Sequence, residues 1–502
     1  MGLARYLGGQ QRDEIRHELL EHRGIELSTG TVSQLCDRFL VALETLHLLR
    51  APELRAAMQE GYPLHLDATC DRGKGGLLVT LDGWRGWMLM ATRIDSERED
   101  HLRPLIDQTV ALFGDPVAIV RDLAEAGARA VAPLRQRGIA DLVCHYHLLA
   151  VVGKNLCDKL YTSLRNLLRS SRLRTDLWTL LRELRRDPAP DGSEGRFGPG
   201  RVRQELLALV LWLLEGNGTK DAIYPFALPH LDLVRRCQQA LAQADQWVPC
   251  PRSQPERRAL RHLEGLVARI RRDRRFDTTM EQLDKAWQAF GELREVLRLT
   301  HAELPGGDAL KRPSNLPVLE LRRLSEIEQA VERYRTELQQ RVAALSKQRA
   351  PRCPDAIILR YLDRYGAHLF GHPVLRDADG SVQAVVERTN NVLEHLFGRA
   401  KQRLRRRVGR ANLGRDLEQQ PPQVMLVANL EHPDYVRVLC GALDNLPAAF
   451  AGLDAELSAK ARLQRNNRDW ELLCQVRALL EAHDAIELHP QRSSGDQAAT
   501  VS

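Results

Sequence analysis

Residues 63–94 constrain the fold of this chain more than any other stretch, because they alternate in the manner of three short strands joined by two short turns. In the first segment, PLHLDAT, the side chains of Leu64, Leu66 and Ala68 point to one face of a strand. Asp67 points to the other face, so its carboxylate is displayed rather than packed among the apolar side chains. Turns this short link antiparallel neighbours, and we therefore expect a three-stranded meander.

The segments after the meander alternate between helical and strand patterns. We predict helices over residues 96–114 and 125–138, and strands over residues 116–122 and 140–144. A meander followed by helix, strand, helix and strand implies an antiparallel sheet that parallel crossovers extend. This is the element order of the RNase H-like fold, so we expect an α/β RNase H-like core with a mixed five-stranded sheet.

The rest of the chain is helical in pattern. Residues 148–370 carry long helical segments that two Pro/Gly-rich breaks divide, and they show no repeat of fixed period. We interpret this part as a large all-α insertion. The predicted organisation is an N-terminal DNA-binding region (1–60), the first part of the core (61–155), the all-helical insertion (156–374), the last part of the core (375–415) and a C-terminal helical region with a disordered tail (416–502).

The N-terminal region has the pattern of a helix-turn-helix. Residues 12–23 have helical periodicity, Gly24 marks a turn, and Ser28 can cap a second helix. Such a second helix can enter the major groove of DNA, where it would present Gln34 and Arg38. A plain pair of packed helices gives the same pattern, and both interpretations stay open.

A second acid, Asp122, ends the segment PVAIVRD. In a sheet of the predicted topology the first and fourth strands are neighbours, so we expect Asp67 and Asp122 to lie close together. Paired carboxylates repel each other, and such a pair indicates a bound cation or a raised pKa. Mg²⁺ prefers carboxylate oxygens, and two ions can activate an attacking oxygen and stabilise a leaving oxygen at phosphorus. The alternative is that both acids cap strand ends or turns.

A third acid is predicted beyond the helical insertion, in the segment ERTNNVLEHLFGRAKQRLRRRVGR. On a helix, Glu394 falls at the margin of an apolar stripe that includes Leu393 and Phe397. From His395 to Arg415 there are eight Lys or Arg residues and no acid. A charge run of this kind is often a solvated face, but one without acids suits a phosphate backbone. The cations that we assign to DNA contact are Arg399, Lys401, Arg403, Arg405, Arg406, Arg407 and Arg410.

Two short motifs accompany the acids. The segment CHYH gives Cys144 and His147 a Cys-x-x-His spacing after Asp122, and NNVLE puts Asn391 three residues before Glu394. Together with LHLDAT, VRD and the helical insertion, these motifs resemble those of the DDE transposases of bacterial insertion sequences, a group similar to the eukaryotic Mutator-like elements. By this resemblance, Cys144, His147 and Asn391 shape the active site.

The resemblance covers residues 63–155 and about 381–415. It implies that Asp67, Asp122 and Glu394 form a catalytic triad that holds two Mg²⁺ ions, for which Mn²⁺ can substitute. The implied reaction is cleavage of double-stranded DNA at the element ends, followed by strand transfer into target DNA. The implied assembly is a homo-oligomer in a synaptic complex.

The sequence departs from the family pattern at several positions. The asparagine expected soon after the Cys-x-x-His motif is best matched by Asn155, which comes late. Glu387 competes with Glu394 for the third acid, and Asp71 and Asp82 are further acids near the first. We prefer Glu394 because it alone has the Asn-x-x-Glu spacing on a predicted helix. The chain begins at the helix-turn-helix with no zinc-binding module before it, which favours a shortened N-terminus.

The segment CHYH also allows a zinc interpretation, with Cys144, His145 and His147 as ligands. A structural zinc site needs four ligands, usually from two such pairs, and the sequence offers no evident second pair. We therefore favour a role for His147 in shaping the active site or contacting DNA.

Composition narrows the class of protein. The net charge of +7 is compatible with a polyanionic partner, and nine cysteines without a regular framework favour a reducing compartment. The apolar run LLALVLWLL is about half of the roughly 20 residues that a membrane helix needs. No export signal is visible, so we expect a cytoplasmic, nucleoid-associated bacterial protein. Two other functions stay open: an RNase H-like nuclease without strand transfer, and a non-catalytic DNA-binding protein derived from a transposase.

Overall fold

The computed structural model describes residues 1–70, 76–186, 201–215, 223–245, 253–299, 317–346, 348 and 353–453. Asp71, the first Pro/Gly-rich break and the predicted C-terminal tail lie outside the described residues, as does nearly all of the second break. In the described part, no helix combines the length and the apolar character that crossing a membrane requires.

The strands follow the predicted order. The meander consists of β1 (Pro63–Thr69), β2 (Gly76–Asp82) and β3 (Trp87–Ile94), which pair antiparallel. Two further strands, β4 (Ala118–Arg121) and β5 (Ala140–Val143), pair parallel. The five strands form one mixed sheet in the order β3-β2-β1-β4-β5. The prediction of a mixed five-stranded sheet with helical regions around it is confirmed.

Helices make up most of the described chain. The N-terminal helices are α1 (Gly2–Tyr6), α2 (Arg12–Arg23), α3 (Thr29–Leu49), α4 (Ala51–Ala57), α5 (Glu99–Phe113), α6 (Glu125–Ala130) and α7 (Ala132–Gln136). The central helices are α8 (His145–Ser170), α9 (Leu173–Arg186), α10 (Arg201–Glu215), α11 (Pro229–Asp245), α12 (Gln254–Arg272), α13 (Arg274–Leu297), α14 (Pro317–Ala343) and α15 (Pro354–Tyr365). A hairpin of β6 (Val374–Arg376) and β7 (Val382–Val385) precedes α16 (Asn391–Val408), α17 (Gly414–Gln419), α18 (Pro433–Cys440) and α19 (Leu446–Ala451).

Local sequence explains several helix ends. Gly24 ends α2 with a φ of 64°, and Ser28 caps α3 by accepting a hydrogen bond from the N–H of Thr31, so the predicted helix pair and its turn are confirmed. The segment predicted as one helix over residues 125–138 is divided into α6 and α7. Pro133 lies in the first turn of α7, where its missing N–H donor is tolerated.

The chain divides into two compact units. The first unit comprises Met1–Val117, Glu125–Ile139 and Val392–Ser502, and the second comprises Ala118–Ala124 and Ala140–Asn391. The first unit therefore contains the meander and α16 beyond its first residue. The second contains β4, β5 and the long helices from α8 to α15.

A buried histidine lies in the core of the first unit. His47 on α3 is fully buried, with Nδ1 2.7 Å from the hydroxyl of Tyr435 and Nε2 2.8 Å from the carbonyl oxygen of Leu89. Burial lowers the pKa of His47 to about 4, so the ring is neutral at pH 7. Beside it, the side-chain amide of Asn429 exchanges two hydrogen bonds with the main chain of Met88. These contacts hold the C-terminal segments against β3.

In the second unit, an ion pair links the two parallel strands. Arg121 at the end of β4 donates two hydrogen bonds to the carboxylate of Asp141 on β5, from Nε at 2.7 Å and from Nη2 at 2.9 Å. The two side chains are only 3% and 1% exposed. Arg121 also donates from Nη1 to the main-chain oxygen of Asp122 at 2.9 Å, which fixes the chain where β4 ends.

Candidate functional site

Two of the predicted acids meet in the first unit. Asp67 lies on β1, and Glu394 lies in the first turn of α16. A carboxylate oxygen of Asp67 is within 4.8 Å of a carboxylate oxygen of Glu394, and both side chains are half-buried. The N–H of Ala68 donates to Asp67 Oδ1 at 2.8 Å, which orients that carboxylate. The oxygens of two carboxylates this close are ligands of the kind that Mg²⁺ and Mn²⁺ prefer.

The position of Glu394 follows from the amphipathic pattern of α16. Leu393 and Phe397 are buried, as the predicted stripe requires, and this leaves Glu394 at the edge of the packed face. About two turns further along, Lys401 Nζ donates to the carbonyl oxygen of Cys70 at 2.9 Å, just after β1 ends. The helix is thereby tied to the strand that carries Asp67.

Asp82 has a structural role in the first unit. It is fully buried at the end of β2, where it accepts a hydrogen bond from the N–H of Trp84 at 2.9 Å and one from Arg85 Nη1 at 3.0 Å. Burial raises the pKa of Asp82, and the Arg85 cation beside it opposes that shift. Asp82 therefore stabilises the turn between β2 and β3.

Asp122 and His147 both line one cavity of the second unit, with a volume of about 770 Å³. Asp122 follows β4 directly, and its Oδ1 accepts a hydrogen bond from the N–H of Ala124 at 2.9 Å. Asn155 lines the same cavity and donates to the hydroxyl of Tyr361. Because Asn155 is eight residues after His147 on α8, the two share one helix face. Their spacing would have revealed this common face in the sequence.

Cys144 and His145 are buried, and their side chains make hydrogen bonds with the main chain of the second unit. Cys144 is fully buried, and its sulfur accepts a hydrogen bond from the N–H of Asn390 at 3.3 Å. His145 is also fully buried, with Nε2 2.7 Å from the carbonyl oxygen of Leu369. Burial, together with the nearby His372 and Arg388, lowers the pKa of His145 well below its usual value. Among the described residues, neither Cys144 nor His145 belongs to a group of three candidate metal ligands.

Glu387 lies just before α16, and Asn391 lies at its start. Asn391 is its first residue and is buried, at the end of the second unit. Glu387 lies in the segment between β7 and α16, so it precedes the helix as the sequence predicts.

The cations of α16 differ in their surroundings. Arg399 and Arg403 both form ion pairs with Glu431, and Arg410 forms one with Asp416 at 3.4 Å. Thus Asp416, directly after this stretch of sequence, and the more distant Glu431 supply the acids that the stretch lacks. The signal that sequence reasoning missed is the pairing with Glu431, which no local pattern reveals.

Other cations of α16 have distinct positions. Arg407 lies over the ring of Tyr6, with its guanidinium carbon 5.0 Å from the ring centre, and it donates to Gln420 Oε1 at 2.6 Å. Burial lowers the pKa of Arg407 to about 10, which still leaves it charged at neutral pH. Arg405 donates to the carbonyl oxygen of Ala411 at 3.4 Å, whereas the exposed side chain of Arg406 lies on the surface.

The predicted helix-turn-helix residues lie on the surface of the first unit. Gln34 and Arg38 are exposed on α3. Gln11, which caps α2, donates from its side chain to the carbonyl oxygen of Arg406 at 3.5 Å. The start of α2 and the basic end of α16 therefore belong to one surface of the first unit.

The comparisons with known proteins do not identify a relative. No protein-family model matches the sequence, and no curated protein is similar to it.

Proposed function

We propose that this protein is a DDE-type DNA transposase with an RNase H-like catalytic core. Asp67, Asp122 and Glu394 are its catalytic acids, and together they hold two Mg²⁺ ions, for which Mn²⁺ can substitute. The proposed reaction is cleavage at the ends of a mobile element followed by strand transfer into target DNA. We propose that it acts in the bacterial cytoplasm, on nucleoid DNA.

The observation that carries the proposal is the approach of Asp67 and Glu394 within 4.8 Å despite their distance along the chain. Two half-buried carboxylates at this separation offer oxygen ligands of the kind that Mg²⁺ prefers, which supports a divalent cation in the proposal. The sheet order, in which β1 and β4 are neighbours, supports Asp122 as the third acid.

In this proposal, Asp67, Asp122 and Glu394 would hold the ions, which would supply Lewis acidity and a lower pKa for an attacking water when bound. The protein's own groups position the reactants. The N–H of Ala68 orients Asp67, Lys401 fixes α16 against the end of β1, and Arg121 fixes the backbone at Asp122. Successive use of one site, first by water and then by the freed 3′ hydroxyl, requires this rigidity because in-line geometry tolerates little displacement.

The DNA-binding surface in this proposal combines α16 with α3. Exposed Arg406 and Arg405 lie on α16, and exposed Gln34 and Arg38 lie on α3. Cations of this kind contact phosphates, and the +7 net charge supports a polyanionic partner. Synapsis of two element ends implies a homo-oligomer.

The test uses full-length protein, Mg²⁺ and labelled DNA that carries the sequences flanking the gene. Wild-type protein should cut this DNA and join the freed ends to a target plasmid. Asp67→Asn, Asp122→Asn and Glu394→Gln should each reduce cleavage by about 100-fold or more while DNA binding persists. Glu387→Gln is the matched control, because it removes the nearby competing carboxylate, and it should retain activity.

The outcomes separate the rival functions. Hydrolysis without joined products would identify a nuclease, and binding without any cleavage would identify a non-catalytic DNA-binding protein. Manganese binding followed by electron paramagnetic resonance gives a readout independent of activity: the Asp67→Asn/Glu394→Gln variant should bind less Mn²⁺ than wild type. Full cleavage by Glu394→Gln, with none by Glu387→Gln, would overturn the assignment of the third acid.

A further inference from the structure

A short segment between β7 and α16 leads directly into the helix that carries Glu394. It comprises residues 386–390, and Glu394 follows it in the first turn of α16. Four of its five residues are buried, and these are Val386, Arg388, Thr389 and Asn390. A helix continues with fixed geometry from its first residue. The contacts that hold this segment therefore also determine where α16 begins and in which direction Glu394 projects.

The side chain of Arg388 fastens the segment to the end of α13. Its guanidinium donates from Nη1 to the carbonyl oxygen of Leu297 at 2.6 Å and from Nη2 to that of Arg298 at 2.9 Å. Leu297 is the last residue of α13, and the last carbonyl groups of a helix lack partners within it. The negative end of the helix dipole lies there as well, which favours a cation. The rigid fork of an arginine suits two adjacent acceptors, whereas a lysine has a single nitrogen.

The main chain of the same segment is held at the start of α8. The carbonyl oxygen of Arg388 accepts a hydrogen bond from the N–H of His145 at 2.9 Å. His145 is the first residue of α8, so its N–H has no acceptor within that helix. Two residues after Arg388, the N–H of Asn390 donates to Cys144 Sγ at 3.3 Å, and sulfur is a weak acceptor. The charged contact with α13 is therefore the stronger of the two attachments.

The end of α13 receives a second arginine from another element. Arg298 follows α13 with a φ of 47°, in the left-handed region that residues other than glycine seldom adopt. Its carbonyl oxygen accepts a hydrogen bond from Nη2 of Arg323, on α14, at 2.7 Å as well as the one from Arg388. Two guanidinium groups thus converge on one carbonyl oxygen. Only Arg388 belongs to the segment that leads to Glu394, so Arg323 provides a matched control.

We propose that Arg388 is a positioning residue for the third catalytic acid: by fastening the segment before α16 to the end of α13, it fixes the direction of the Glu394 carboxylate. This inference rests on the proposed function for the role of Glu394 as a metal ligand. It gives the helical insertion a specific task, because the end of α13 supplies the fixed point from which α16 starts. Arg388 acts through the main chain and contacts neither metal nor DNA in this proposal.

The first experiment measures Mn²⁺ binding to full-length protein by electron paramagnetic resonance, without DNA. Arg388→Gln should weaken Mn²⁺ binding by about 10-fold to 100-fold, the range typical for residues that orient metal ligands. Arg388→Lys keeps the charge and one donor, so it should recover part of this loss. Arg323→Gln removes the other guanidinium from the same carbonyl oxygen and should leave Mn²⁺ affinity unchanged.

A double-variant comparison distinguishes positioning from a general loss of stability. Without its carboxylate, residue 394 gives Arg388 nothing to position, so adding Arg388→Gln to Glu394→Gln should not weaken Mn²⁺ binding further. A merely structural role predicts a further loss of the same size as in wild type, and that result would overturn the inference. Urea midpoints establish that each variant is folded. If Arg388→Gln does not fold, Arg388→Lys replaces it in the same comparison.

Hydrogen exchange gives a readout that needs no metal. Peptides that cover residues 391–398 should lose protection in Arg388→Gln, because the first turn of α16 is then held less firmly, and they should keep it in Arg323→Gln. Equal protection in wild type and Arg388→Gln would contradict the proposed attachment. So would the same loss in both variants, because the effect would then come from the end of α13 alone.

The inference and the proposed function fail in different ways. If Mn²⁺ binding depends on Glu394 but is equal in wild type and Arg388→Gln, the inference is wrong and the metal site stands. If wild type binds no Mn²⁺ and cuts no DNA, the proposed function is wrong, and with it the catalytic purpose of the attachment. Loss of protection in Arg388→Gln alone would then still show that Arg388 holds the start of α16.

Discussion

Arg121→Met should destabilise the second unit far more than an ordinary loss of an ion pair. Arg121 and Asp141 are almost fully buried and joined by two short hydrogen bonds. Removing the guanidinium leaves the Asp141 carboxylate in the core beside His368, whose Nδ1 lies 3.5 Å from Asp141 Oδ2. Breaking a buried pair on one side costs about 3–5 kcal/mol, because the remaining charge is neither solvated nor paired.

The second unit supplies a matched control for burial. Arg335 Nε lies 2.7 Å from Asp363 Oδ1, the same distance as in the buried pair, but these side chains are 36% and 47% exposed. Arg335→Met should therefore cost only about 0–1 kcal/mol. The double variant Arg121→Met/Asp141→Leu removes both buried charges and should recover most of the stability, since apolar replacement of a whole buried pair is often neutral.

Urea denaturation followed by circular dichroism at 222 nm measures these changes as shifts of the unfolding midpoint. The reasoning predicts a large shift for Arg121→Met, a small one for Arg335→Met and a partial return for the double variant. Equal midpoints for the two single variants would refute it. So would a double variant less stable than Arg121→Met, because the penalty would then not come from an unpaired charge.

Two further predictions concern the first unit. Burial lowers the pKa of His47 from its ordinary value of 6.5 to about 4 in the folded protein. As the pH falls, the unfolded chain therefore binds a proton at this ring before the folded protein does. The contribution of His47 to stability should be constant above pH 6.5 and fall as the pH drops toward 4, by up to roughly 3 kcal/mol; the dependence of the urea midpoint on pH should become less steep in His47→Gln, and an unchanged slope would contradict this origin. Glu431→Gln removes the acid that pairs with Arg399 and Arg403. DNA affinity should rise, and the slope of log K against log salt should steepen by about 1–2; weaker binding measured by fluorescence anisotropy would show that the ion pairs position these arginines for DNA.

The elements were predictable because each depends on local chemistry. The alternation of apolar and polar side chains predicted β1 to β3. The end of α5 at Gly114 and the cap of α3 at Ser28 each depend on a hydrogen bond between residues only a few positions apart. The amphipathic stripe of α16 predicted that Glu394 lies at its margin. The start of α7 was also predictable in principle, since Pro133 lies in its first turn, where proline is favoured.

The partners of charged residues were not predictable in the same way. Nothing near Arg403 in the sequence indicates Glu431, and nothing near Arg121 indicates that Asp141 neutralises it on the adjacent strand. These pairs depend on how distant segments fold together.

The positions of Asp67 and Glu394 along the chain have a consequence for protein synthesis. A ribosome translates Asp67 early, but it must complete the entire second unit before it reaches Glu394. A message that is broken or terminated within the second unit therefore encodes an acid of β1 without its carboxylate partner. Under the proposed function, such fragments lack cutting activity. The order of Asp67 and Glu394 along the chain therefore protects the chromosome from incomplete copies of the protein.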